Sequence, residues 1–410
     1  MARSSTPTAA SSPTSAVSPS KRAFWKGQEC FVAVKYPKSS DIQDAVCVGA
    51  WGDSDIPVYD VPNMQTLNQL VGYVKHINAG EGTVLYRGQC RLYEAVIPSI
   101  QHDMGSYAVN KMRLDESIAA IERAPEALRF CGLRRPEIEG WRLYQRLVLE
   151  AILQHYGACT HSVDFVDNHW TALWFGLNAW NGADRKYIRR TDTCTGEPDA
   201  PIKWNDNVAH KPFPLEPTMA TISLPNERIE ELREDASHCT VSLDELIQRN
   251  KLRLFAKVHG RWEKDCAEVE DYNQQIEARE KTDHLYLFLY VAETNGPYLN
   301  GVYLGENCYT TDLRKALPST FLRPCAQHGW IVKGKNEDYQ FNQNIACVVR
   351  VSVALADKML GRGTLLSQEN FFPDETIDQG YKILLERQEG SRLASRFAKL
   401  LPAGMITDFG

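Results

Sequence analysis

The sequence predicts a mixed α+β fold: a mixed or antiparallel sheet core, flanking helices and a surface insertion. Three observations carry that expectation. Two continuous apolar runs, HLYLFLYVAE at 284–293 and IACVVRVSVA at 345–354, are rich in β-branched or aromatic residues and have the length of buried strands. Between 137 and 180 two amphipathic helical patterns bracket the strand-like run ACTHSVDFV. From 181 to 282 the chain turns loop-like and then charged and broken, which suits an inserted surface segment.

In chain order, residues 1–22 read as a disordered tail, since MARSSTPTAASSPTSAVSPS offers almost no apolar surface to bury. It lacks the hydrophobic segment of a secretory signal and the arginines of a transit peptide. Residues 23–410 are expected to form one domain with an N-terminal extension at 23–62, where CFVAVKY and AVCVGAW are β-prone, and an insertion at about 181–282. Next, Met64, Leu67, Leu70, Val71, Val74 and Ile77 fall at helical spacing. Gly80 and Gly82 close that helix, and TVLYRGQ follows as a strand. Residues 137–156 place Trp141, Tyr144, Leu147, Val148, Ala151 and Ile152 on one stripe, with Gly157 where a left-handed cap belongs. Asp167 is the expected N-cap of a helix bearing Trp170, Leu173, Trp174, Leu177 and Trp180. Shorter helices are expected near 227–235 and 243–250, and Asp374 is expected to cap one near 376–387.

A net charge of −6, with 43% hydrophobic and 24% charged residues, argues against a wholesale electrostatic nucleic-acid binder. No run approaches the roughly 20 apolar residues a membrane helix needs, so no membrane partner and a cytoplasmic location are expected. The 11 cysteines are scattered without a CxxC pair, so no metal is implied and reduced thiols are the simplest account. Cys159 reads as a small buried residue before it reads as a nucleophile.

Several short motifs recur in order: YRGQ at 86–89, IPSI at 97–100, QHYGACTHSVDF at 154–165, TALWFG at 171–176, RPCAQHGW at 323–330 and FFPD at 371–374. This order resembles the FRG domain family over roughly residues 63–385. That family pairs an aromatic-Arg-Gly motif with a Gln-His-aromatic-Gly segment and a later Arg-x-x-x-Gln-x-Gly-aromatic segment. Here His161 and Ser162 stand where the family usually has Arg and Leu, and Phe165 where it has Trp. The order of parts is also similar to that of ADP-ribosyltransferases. That likeness implies a core of their type, with Arg87 on the first strand, Thr160 and Ser162 on the second, and Gln327 opening the last motif. Two residues on, Gly329 stands where many such enzymes carry a glutamate; Glu293 and Glu369 are the candidates to replace it.

The resemblance implies NAD as substrate and cofactor, with Tyr86, Arg87, Gly88, Gln89, His155, Thr160 and Ser162 binding it and Arg87, Asp164 and Gln327 catalytic. The residue types suit that chemistry. A planar, permanently charged arginine matches a pyrophosphate, and glycine lets a ligand approach the backbone. Thr160 and Gln327 offer ribose hydrogen bonds, and Asp164 offers either an orienting partner for Arg87 or a countercharge to an oxocarbenium-like centre. A plainer reading stands beside each. Arg87 and Asp164 form a structural ion pair, His155 packs or caps in the last turn of its helix, Gln327 satisfies a backbone edge, and the tryptophans are core. Arg134, Arg135 and Arg142 mark an acceptor or nucleic-acid surface, extended by Arg185, Lys186, Tyr187, Arg189 and Arg190, or simply a solvated face.

The expectations are therefore an NAD-dependent ADP-ribosyltransferase acting on a protein or nucleic-acid acceptor, as a toxin or defence effector with an inhibitory antitoxin partner. The alternatives are a non-catalytic nucleotide- or partner-binding module, or an NAD glycohydrolase. Arg87, Thr160, Asp164 and Gln327 gathered around one cleft favour an enzyme; dispersal or mutual burial favours the module.

Overall fold

The computed structural model describes residues 33–102, 106–133, 140–181, 186–190, 202–205, 211, 213–238, 240–281, 283–363, 366–374, 377–378 and 380. The tail at 1–22 and the expected helix near 376–387, apart from its first residues, lie outside them. The chain divides into two compact units: Met1–Lys203 with His284–Gly410, and Trp204–Asp283 inserted between them. The inserted unit thus begins later than the expected position 181.

The main unit is mixed α+β. Its strands are β1 (Val46–Trp51), β2 (Ile56–Asp60), β3 (Thr83–Gln89), β4 (Ser162–Val166), β5 (Asn178–Asn181), β6 (Lys186–Arg189), β7 (Lys203–Trp204), β8 (His284–Ala292), β9 (Pro297–Leu299), β10 (Val302–Leu304), β11 (Cys308–Asp312), β12 (Gly329–Gly334) and β13 (Ile345–Ser352). β5 and β6 form a separate hairpin. The other strands make one sheet in the order β7-β1-β2-β13-β8-β3-β4-β12-β11-β10-β9. β13 runs parallel to β2 and antiparallel to β8. Both long apolar runs are therefore central strands, and every residue from Leu285 to Ala292 is buried. The described part of CFVAVKY is not a strand.

Helices α1 (Met64–Ile77), α2 (Tyr107–Glu122), α3 (Pro125–Phe130), α4 (Trp141–His155) and α5 (His169–Leu177) precede the insertion. Asn63 caps α1 by accepting from the Thr66 amide at 2.9 Å, and Leu67, Leu70, Val71 and Val74 are buried as their spacing predicts. Met64, from the same stripe, is exposed. α1 and α5 cover one core over β3, β8 and β13. α2 and α4 close a second core against Ile331 of β12. Gly157 adopts φ +97° after α4, the left-handed turn expected there. The N-cap of α5 is Asn168 rather than Asp167: its side chain accepts from the Trp170 amide at 2.9 Å, because Asp167 is drawn away to other partners. Trp174 is core, as its spacing suggests, but α5 ends at Leu177, so Trp180 falls on β5 and is exposed.

The inserted unit contains α6 (Asn226–Ser237) and α7 (Leu243–Lys281), a helix of 39 residues where only 243–250 was expected. After it come α8 (Leu313–Ala316), α9 (Leu322–Ala326), α10 (Val353–Met359) and α11 (Gln368–Phe371). Among the described residues no helix is long and apolar enough to cross a membrane.

Candidate functional site

The YRGQ and HSVDF motifs lie on neighbouring strands that barely pair. β3 is in register with β8 from Thr83 to Gln89, and β4 with β12 from Ser162 to Val166. Between β3 and β4 the register holds only at Tyr86–Val166. Beyond that pair the strands part, at the end that carries Arg87–Gln89 on one side and Ser162–Asp164 on the other. A seam in the sheet thus separates the two motifs.

Arg87 spans the seam: its Nη1 donates to the main-chain carbonyl of Asp164 at 2.9 Å. Among the described residues its Nε has no partner, and neither has the buried Oε1 of Gln89. Burial lowers the Arg87 pKa, and the charge of Asp164 only partly opposes it. The expected ion pair is not formed, for a geometric reason. Strand alternation puts Tyr86 and Gly88 on the α5 face and Arg87 and Gln89 on the other. Val166 opposes Tyr86, so Asp164 shares the α5 face. The guanidinium and the carboxylate therefore leave the seam on opposite faces.

Gly88 serves the fold, not a ligand's approach. A Cβ there would lie 1.6 Å from the Ala172 carbonyl oxygen and 2.8 Å from the Gly176 nitrogen, so the backbone of α5 fills the space. Tyr86 is fully buried, its hydroxyl without a partner among the described residues and its pKa raised, chiefly by burial.

On the α5 face the polar corner is a closed network. Gln154, near the end of α4, donates from Nε2 to Asp164 Oδ2 and accepts from the Thr160 hydroxyl. Ser99 of IPSI accepts from the Thr160 amide at 3.1 Å. The Ser162 hydroxyl meets Glu150 Oε1 at 3.4 Å, and Lys333 pairs with Glu150 Oε2. Glu150 is the network's anchor: burial opposes its charge, yet His161 and Lys333 hold its pKa down to about 2. Thr160 and Ser162 are thus buried and committed, whereas the Asp164 side chain keeps 41% of its surface exposed. The His155 ring sits 3.9 Å from Asp164, is only 4% exposed, and its Nε2 has no partner among the described residues.

Gln327, at the C-terminal end of α9, is buried and donates to the Phe371 carbonyl at 2.8 Å, tying FFPD to that helix end. Position 329 is closed, because a Cβ there would meet His155 Cε1 at 2.9 Å. Of the two substitute carboxylates, Glu293 follows the partner of Thr83, about 20 Å along β3 from Gln89. It is buried, bonded by the Asn307 amide and Asn344, and burial raises its pKa. It does not belong to the seam. Glu369 is exposed on α11, two residues from the carbonyl that Gln327 holds.

Of the expected basic surface, only part falls among the described residues. Arg134, Arg135 and Arg185 lie outside the described residues, and Arg142 is exposed. Arg189 pairs with Asp357, and Arg190 donates to the His284 carbonyl. Tyr187 stacks on Phe372 at 5.0 Å within an aromatic cluster that includes Trp174. Burial raises the Cys159 thiol, against a nucleophilic role. Sequence reasoning passed over Glu150 and Lys333; a carboxylate inside the apolar stripe of α4 was the available signal, since a buried carboxylate demands a cation. Comparison with family models, curated proteins and solved structures gives no match.

Proposed function

We propose that the β3–β4 seam binds an anionic nucleotide, NAD being the first candidate, and that the chain holds it as a non-catalytic module. The single observation that carries this is Arg87: a half-buried arginine whose Nε is shielded from solvent without a partner, whose one hydrogen bond is to a carbonyl, and which no carboxylate neutralises, all among the described residues. A charge so placed is costly without an anion, and a planar fork of donors suits a pyrophosphate. Holding is favoured over turnover because Thr160 and Gln327 are committed to the fold and position 329 has no room for a glutamate.

The second reading is an NAD-consuming ADP-ribosyltransferase or glycohydrolase of the FRG type, with the toxin or defence setting and antitoxin partner that go with it. The half-exposed Asp164 carboxylate favours it, as does Gln327 anchoring the segment that carries Glu369.

One experiment separates the two. The purified chain and Arg87→Ala are incubated with labelled NAD and cell lysate, following melting temperature, free nicotinamide, and label on protein and RNA. Stabilisation of the wild type alone, without nicotinamide release, is the expected result. Release or transfer that is lost in Arg87→Ala selects the second reading. No stabilisation by NAD, ADP-ribose or ATP, and no turnover, overturns both.

A further inference from the structure

The inserted unit is built on one long helix whose charge changes sign along its length. From Arg249 to Lys264, α7 carries six Lys or Arg residues against one Glu; from Asp265 to Ile276 it carries four Asp or Glu and no Lys or Arg. The two blocks follow one another over about 42 Å of helix.

Only part of the helix surface is used within the unit. α6 packs against it, with Arg228 reaching the Asn250 side chain at 3.5 Å. Residues that precede it hold a second side: the Trp262 indole donates to the Pro214 carbonyl at 2.9 Å, and the Lys211 amide donates to the Asn273 side chain at 2.8 Å. At 100° per residue, Arg253, Lys257, Arg261, Lys264, Glu268 and Asp271 fall within an arc of about 80°, away from Trp262 and Asn273. All six are exposed. Lys264 and Glu268 pair at 3.6 Å, but Arg253, Lys257 and Arg261 have no ion-pair partner among the described residues. Leu252 and Val258 are exposed on either side of this ridge, at 55% and 37%. Beside it Gly260 has nothing within 4 Å of where a Cβ would stand. A mid-helix glycine destabilises a helix relative to alanine, and no neighbour in the unit requires it.

We propose that this ridge is the contact surface for a second copy of the chain, with two α7 helices running antiparallel. Antiparallel pairing lays each basic block on the other copy's acidic block, whereas parallel pairing sets like on like. The same patch serves both copies, as a two-fold axis demands, and Gly260 with Ala256 allows the helices to approach closely. A nucleic acid is a poorer occupant, because the acidic block on the same ridge would repel it.

Sedimentation of the full chain tests this. The wild type should form a two-chain species at about 0.05 M salt that dissociates toward 0.5 M, as screening shortens the reach of the charges. Lys257→Glu with Arg261→Glu should give single chains, and so should Glu268→Lys with Asp271→Lys. Mixing these two variants should restore a two-chain species, because an acidic ridge then meets a basic one. A wild type that stays single up to tens of micromolar, as a rough working ceiling, overturns the proposal. So does a two-chain species that both variants retain. Single-chain behaviour together with Lys257- and Arg261-dependent retention on duplex DNA or RNA would assign the ridge to nucleic acid instead.

Discussion

Glu150 is a buried charge and Arg87 a half-buried one, both beside β4, and the fold treats them oppositely. Glu150 is answered by Lys333, by the His161 amide and ring, and by the Ser162 hydroxyl. Arg87 is answered by one carbonyl. The difference separates scaffold from site. A buried charge with a full set of partners closes a fold on itself, whereas one left short keeps a place for something the chain does not contain. The same division runs through the sequence motif: Thr160 and Ser162 belong to the satisfied network, and of these three residues only Asp164 reaches solvent.

Breaking the satisfied side should give the largest effect. Glu150→Ala leaves the Lys333 ammonium facing an emptied site and should lower stability by about 3–5 kcal/mol in denaturant unfolding, with Lys333→Met partly restoring it in the double variant. Acid should reach the same group. Its folded pKa, about 2, lies below the ordinary 4.5, so its stabilisation is complete above about pH 4.5 and is lost as pH falls through about 2. That loss is on the order of 3 kcal/mol, and Glu150→Gln should flatten the pH dependence in that window. Gly88→Ala forces α5 off β3 and should cost on the order of 1–3 kcal/mol by thermal unfolding, with or without ligand. The smallest effect belongs to the unanswered side. Arg87→Met removes a half-buried charge along with one hydrogen bond, so the unliganded protein should stay within about 1 kcal/mol of wild type.

Much of this fold was legible in the sequence. The strands at 284–293 and 345–354, the stripes of α1 and α4, and the turn at Gly157 follow from periodicity and backbone preference alone, and the structure has them all. The charges of α7 hide its length, so the sequence predicts a helix only over 243–250 where the chain forms one of 39 residues. Phe255, Trp262, Val269 and Ile276, each seven residues on from the last, were the overlooked sign of a continuous helix. The motifs located the seam, but spacing cannot tell which face of a strand a side chain takes until the register is fixed. Arg87 and Asp164 therefore looked like partners when they lie back to back. Gly88 misled in the same way: a position that tolerates no Cβ is visible in sequence, but what fills the space, ligand or helix, is a tertiary fact.

The most direct test of the central claim is a nucleotide-dependent melting curve of the wild type beside Arg87→Met. If Arg87 is the unanswered half of a binding site, the two proteins melt alike without ligand. Saturating nucleotide, at about 100 times its Kd, then stabilises the wild type by about 2.7 kcal/mol and leaves the variant unmoved. If Arg87→Met instead loses several kcal/mol with no ligand present, or keeps the full nucleotide shift, Arg87 is scaffold like Glu150 and the seam is not the site.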